Sequence, residues 1–194
     1  MNRLLIFTSV SPSLVAIWED KTVYEISVSG GKGSKFLSRI LSAYPLKYDE
    51  VWVGIGPGAF TGTRVGVAYA LGLVAGLELD RVYVFDTFDF LYAPFYGKDL
   101  QVVIPARRGE VYRALYIGGK KVEEGVYKID GIKDDVPILS YVKQIAGTVN
   151  MLKPSVAHVT AMIEHGLYRS VPPENVKVRY LKPLTEEYKV YGRG

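Results

Sequence analysis

The stretch Val51–Gly76, VWVGIGPGAFTGTRVGVAYALGLVAG, limits what this chain can fold into more than any other. The apolar run Val51–Ile55 predicts a buried strand. Gly56-Pro57-Gly58 then forms a loop able to take positive φ angles, and a helix is predicted from about Thr63 to Leu77. Gly66, Gly72 and Gly76 lie inside that helix, each costing roughly 1 kcal/mol against alanine, so small residues there point to another backbone packed close. Two readings of the loop follow. Free N–H groups at a helix start favour an anion: Gly56, Pro57 and Gly58 would let a phosphate approach, with Thr61, Gly62 and Arg64 beside it. Alternatively the segment is a tight strand-to-helix turn with no ligand. No Lys follows the last glycine as in a Walker loop, and the spacing is not GxGxxG.

Around this segment the pattern changes period. Leu4–Phe7, Leu14–Trp18 and Thr22–Val28 read as a three-strand meander, the last two joined by a turn at Glu19-Asp20-Lys21. A helix near Ser34–Ala43 carries Phe36, Leu37, Ile40 and Leu41 on one stripe and stops at Tyr44-Pro45. Val82–Phe85 is the next strand, and Asp86 or Thr87 can cap a short helix through Tyr92. A meander that switches to alternating helix and strand predicts an α/β fold, a mixed sheet covered by helices, as in ribonuclease-H-like and actin-like domains. After Gly97 the meander restarts with Leu100–Ile104, Glu110–Ile117, a Gly118-Gly119 turn and Lys121–Lys128. Two lobes are therefore expected, residues 1–96 and a smaller, reduced copy over 97–194. Pro154–Glu164 reads as a helix ended by Gly166, and Pro172-Pro173 opens a final extended segment.

Composition narrows the chemistry. The chain has no cysteine, which excludes thiolate metal sites and cysteine nucleophiles. Its two histidines, His158 and His165, are seven apart on one side of the predicted helix, with no suitable third ligand, so no metal centre is expected. No serine sits in a GxSxG elbow. The net charge of +4 is small and unclustered, which argues against a stand-alone RNA-binding module. The apolar N-terminus is interrupted by Ser9, Ser11, Pro12 and Ser13, and no stretch reaches membrane-span length, so a soluble cytoplasmic protein is expected. The 15 tyrosines fall in strand-like contexts that suit half-buried sheet packing.

Gly56-Pro57-Gly58-Ala59-Phe60-Thr61-Gly62 and its surroundings resemble the GPGSFTGLRIG signature of the TsaB (YeaZ) family, with Ala59 for serine and Thr63 for leucine. Ala106-Arg107-Arg108-Gly109-Glu110-Val111-Tyr112 is similar to that family's ARRGEVY segment, and Arg179-Tyr180-Leu181-Lys182-Pro183 to its YLRP-like ending. The resemblance covers most of the chain in order and is strongest over 49–76 and 105–116. It implies an actin-like fold of two lobes. It also implies a partner of the related catalytic subunit TsaD and of the ATPase TsaE, which together transfer a threonylcarbamoyl group to the adenosine beside the tRNA anticodon. Contact with tRNA would then come through the complex, and the family also pairs with itself.

Three departures bear on catalysis. The family often keeps an acid on the first strand in an ID-T-S pattern, where this chain reads Ile6-Phe7-Thr8-Ser9. Gly33-Ser34-Lys35 stands where His-Ser-Glu is frequent, and Pro105 where an aspartate often precedes the Arg-Arg-Gly-Glu stretch. A phenyl ring cannot ligate magnesium, so no enzymatic activity and no cofactor are expected. The competing expectation is an ATP-dependent small-molecule kinase or ATPase of the actin-like class, which needs that acid. The helix after the loop is apolar around its circumference and must be covered on two sides. One side faces the sheet. The other is expected to meet a partner subunit through Phe36, Ile40, Val65, Val67, Ala68, Leu71 and Gly72, or else to be covered by the second lobe. Arg107, Arg108 and Glu110 either line a partner or RNA surface or simply flank a hairpin.

Overall fold

In the run Leu4-Leu5-Ile6-Phe7 every side chain is fully buried, so apolar groups cover both faces of the strand that carries it. The computed structural model describes residues 1–19, 22–28, 37–40, 42, 47–107, 109–141 and 153–182. β1 (Asn2–Phe7), β2 (Ser13–Glu19) and β3 (Thr22–Val28) form the antiparallel meander. β4 (Glu50–Gly54) and β5 (Val82–Phe85) add in parallel on the other side of β1. This sheet has the order β3-β2-β1-β4-β5, the mixed sheet of meander plus parallel strands expected from the sequence. One helix connects the parallel pair, α1 (Phe60–Gly76), starting three residues before the expected Thr63. Residues 37–40 are helical; Phe36 and Leu41 lie outside the described residues.

The second sheet repeats the plan. β6 (Leu100–Pro105), β7 (Glu110–Ile117) and β8 (Lys120–Lys128) make a meander, and β9 (Ile138–Ser140) adds in parallel beside β6. The order β8-β7-β6-β9 matches β3-β2-β1-β4. Between the sheets lie α2 (Thr87–Tyr92) and α3 (Val156–Glu164). Asp86 caps α2 by accepting from the Phe88 and Asp89 N–H groups at 2.8 and 3.2 Å.

Strand alternation assigns the two cores. Leu4, Ile6, Val15, Ile17, Val51 and Val53 face α1, meeting Val67, Ala70 and Val74. Leu5, Phe7, Ala16, Trp52 and Phe85 face the opposite way. They join Phe88 and Phe90 of α2, Val102 and Ile104 of the second sheet, and Val159 and Met162 of α3.

After α3 the chain returns to the first sheet. Residues Arg169–Val171 form β10, which pairs antiparallel with β5 at the sheet's edge. A three-residue strand is too short to show periodicity, and its partner lies far back in the chain. A division of the sequence near residue 97 therefore does not anticipate this return. Among the described residues, no helix is long and apolar enough to cross a membrane.

Candidate functional site

The glycine loop is packed against its own chain. Gly56 has φ +104°, and the Arg179 carbonyl oxygen lies 2.6 Å from where a Cβ would stand. A Cβ on Gly58 would collide with the Ser9 carbonyl, and one on Gly62 with the Thr8 carbonyl. The Ala59 N–H donates to the Ser9 carbonyl at 2.7 Å, and the Thr8 hydroxyl donates to the Gly62 carbonyl at 2.7 Å. The Thr63 hydroxyl is 3.1 Å from both the Ser9 hydroxyl and the Ala59 carbonyl. Carbonyl oxygens of Thr8, Ser9 and Arg179 thus crowd the glycines, and such oxygens repel a phosphate. Pro57 is buried in the same turn, while Thr61 and Arg64 stand on the outer side of α1. Arg64 lies over the Phe60 ring at 4.3 Å and donates to the Tyr180 hydroxyl at 3.0 Å. Close packing accounts for the glycines without a ligand.

Phe7 occupies the end of β1. It is fully buried, with the Phe90 ring centroid at 4.5 Å and that of Phe85 at 5.9 Å. A Cβ on Gly54 would come within 2.7 Å of the Phe7 ring, so β4 leaves room for the phenyl group by carrying no side chain there. The position where the family pattern places an acid is filled by an aromatic cluster.

Beside β5, α2 and β8 lies a cavity of about 430 Å³ whose walls include Asp86, Asp89, Lys121, Tyr168 and Arg179. Lys121 Nζ is 3.1 Å from Asp86 and 3.0 Å from Asp89. Arg179 pairs with both Asp86 and Glu124. The Tyr116 hydroxyl donates to Asp89 at 2.6 Å, and burial, with that carboxylate beside it, pushes its pKa well up. Two cations, Lys121 and Arg179, thus face three carboxylates, Asp86, Asp89 and Glu124. Of this set, the sequence marks Asp86 only as a helix cap and Arg179 only within the Arg179–Pro183 resemblance, because residues paired across dozens of positions leave no local sign of each other.

The two histidines do not converge. His158 faces the core, 5.5 Å from the Phe90 ring, with Nδ1 3.1 Å from the Ser155 hydroxyl. His165 lies just past the end of α3 and stacks on Tyr96 at 4.0 Å. Burial holds the His158 pKa down to about 4. The folded state then binds fewer protons than the unfolded chain, so stability is full above the ordinary histidine value and falls as pH drops from about 6.5 towards 4. The loss expected from this group is on the order of 3 kcal/mol. Thermal melts of His158→Leu from pH 7 to pH 4.5 should show a shallower decline than wild type.

The residues expected at a partner surface divide. Ile40 and Val67 are buried in the first core, because the sheet face they cover needs both to exclude water. Ala68 and Gly72 are exposed, together with Thr61, Arg64, Ala75 and Gly76, along one stripe of α1. Val65 and Leu71 flank it, half-buried. Phe36 lies outside the described residues. The second sheet packs against the opposite face of the first, so among the described residues it does not cover this stripe. Arg107 is exposed at the β6–β7 turn, Glu110 pairs with Lys182, and Arg108 lies outside the described residues.

The family model described as TsaD, tRNA N6-adenosine threonylcarbamoyltransferase, matches residues 37–173. The tRNA threonylcarbamoyladenosine biosynthesis protein TsaB of Escherichia coli (strain K12) is 30% identical over 139 residues, 66% of this chain and 58% of that protein. The chain belongs to the TsaD family, in its TsaB (YeaZ) branch. An uncharacterized protein of Mycobacterium leprae (strain TN) is 44% identical over 82 residues, 38% of this chain and 20% of that one. The match thus spans less than two thirds of the length of either curated relative. YeaZ from Pseudomonas aeruginosa shares the fold, with a TM-score of 0.70 at 20% identity, covering 93% of this chain and 99% of that one. The TsaB-type glycine signature, seen in three dimensions, is the surface on which the end of β1 and residue 179 pack.

Proposed function

We propose that this chain is a non-catalytic partner subunit of the tRNA threonylcarbamoyladenosine-forming machinery, docking on a catalytic TsaD subunit. The observation that carries the reading is the pairing of a filled catalytic position with an open helix face. Phe7 stands where an actin-like enzyme needs a metal-binding acid, which leaves the kinase or ATPase alternative without its central group. The exposed stripe of Ala68, Gly72, Ala75 and Gly76 lets a second helix approach closely, with Val65 and Leu71 as apolar flanks. On this reading the same face joins two copies when the chain is alone, TsaE joins the assembled complex, and tRNA is met through TsaD.

Size-exclusion chromatography with light scattering, on the chain alone and mixed with TsaD of the same host, tests this. Wild type should form a discrete complex. Ala68→Glu should weaken it at least tenfold, since an unpaired carboxylate buried in an interface costs about 2 kcal/mol or more, and its circular dichroism should stay that of wild type. A complex indifferent to Ala68→Glu removes α1 as the docking face, and no complex with wild type removes the partner assignment.

A further inference from the structure

The cavity beside β5, α2 and β8 carries charge that its ion pairs do not use. Lys121 is held by Asp86 and Asp89, and Arg179 by Asp86 and Glu124. Asp89 meets both Lys121 and the Tyr116 hydroxyl through one carboxylate oxygen, Oδ1. Its other oxygen, Oδ2, has no partner among the described residues. Arg169 is a third cation in the wall, exposed and without an ion pair or side-chain hydrogen bond among the described residues. Both groups are fixed by the fold. Asp89 lies in α2, and Arg169 opens β10, whose backbone is registered against Val84 of β5. Opposite charges thus line one cavity without pairing. The rest of the wall is largely carbon, from Ile55, Phe85, Leu167 and Tyr168. A volume of about 430 Å³ is that of a small-molecule site, more than a single ion needs.

We propose that this cavity binds an α-amino acid with an apolar side chain, its ammonium at Asp89, its carboxylate at Arg169 and its side chain against the carbon wall. Charge selects this class of ligand. Lys121, Arg169 and Arg179 balance Asp86, Asp89 and Glu124, so a molecule of no net charge enters without upsetting that balance. A simple amine leaves Arg169 unpaired and adds a positive charge, and a simple carboxylate leaves Asp89 Oδ2 unpaired and adds a negative one. The zwitterion satisfies both. A guanidinium takes a carboxylate through two parallel hydrogen bonds, and the carboxylate of Asp89 accepts from an ammonium. An apolar side chain then removes Ile55, Phe85 and Leu167 from water.

Chemical-shift titrations of the full chain decide this, with L-leucine set against its two halves, isopentylamine and isocaproate. Leucine should bind about tenfold or more tighter than either half, and should saturably shift the amides of Asp89, Leu167 and Arg169. Arg169→Gln should bring leucine down to the affinity of isopentylamine, with the melting temperature unchanged because that side chain is exposed. Arg169→Glu should reverse the order, so that isopentylamine binds better than leucine. An amino-acid site is overturned if leucine gains nothing over its halves in wild type. It is overturned equally if Arg169→Gln leaves leucine affinity unchanged, or if the shifts fall away from the cavity wall. The titrations use the chain without TsaD, so their outcome stands apart from the test of the docking role.

Discussion

Phe7→Asp should lower the melting temperature by at least about 10 °C and confer no magnesium-dependent ATP hydrolysis. The substitution removes a fully buried phenyl ring from contact with Phe85 and Phe90, and truncating such a ring costs about 3–5 kcal/mol. It then places a carboxyl group in an apolar pocket, adding about 1–3 kcal/mol or more. For a chain of this size each kcal/mol is worth roughly 2–4 °C. Differential scanning calorimetry and a phosphate-release assay check both halves. A stable Phe7→Asp protein that hydrolyses ATP would show that the pocket still accepts the chemistry its phenyl group displaces.

Gly62→Val should be nearly as damaging, although it lies on a helix where valine is only slightly disfavoured. Its Cβ would meet the Thr8 carbonyl, which is backbone and cannot turn aside. Forcing the end of β1 away from α1 also breaks the bond from the Thr8 hydroxyl to the Gly62 carbonyl. The expected cost is about 3 kcal/mol or more, against under about 1 kcal/mol for Gly72→Val, whose Cβ would meet nothing within 4 Å. Chemical denaturation of the two variants makes the comparison. Equal losses would mean that the approach of Thr8 does not set the cost, since helix propensity alone favours valine over glycine at both positions.

What could be read in the residues was local. The strands of both meanders, the Asp86 cap and the Gly118-Gly119 turn follow from patterns within a few positions, and they are present in the structure. Pairings over long separations were not legible. Arg179 meets Asp86 and Glu124, and Lys121 meets Asp89, because folding brings them together, and nothing beside any of them in the chain marks the partner. The glycine segment shows both limits. Its residue types are those of an anion loop, yet whether N–H groups or carbonyl oxygens face the open side depends on where Thr8, Ser9 and Arg179 come to rest. The apolar circumference of α1 likewise left open which residues turn inward; Val67 does, and Ala68 does not.

The pairing of β10 with β5 bears on how the molecule is made. Arg169 lies opposite Val84, so the outer edge of the first sheet waits for residues synthesised about 85 positions later. At roughly 5–20 residues per second, the β5 edge stays unpaired for several seconds during translation. An open edge of that kind is a site for mispairing between nascent chains. A ribosome-bound chain ending before Arg169 should therefore aggregate more readily than one extended past Val171.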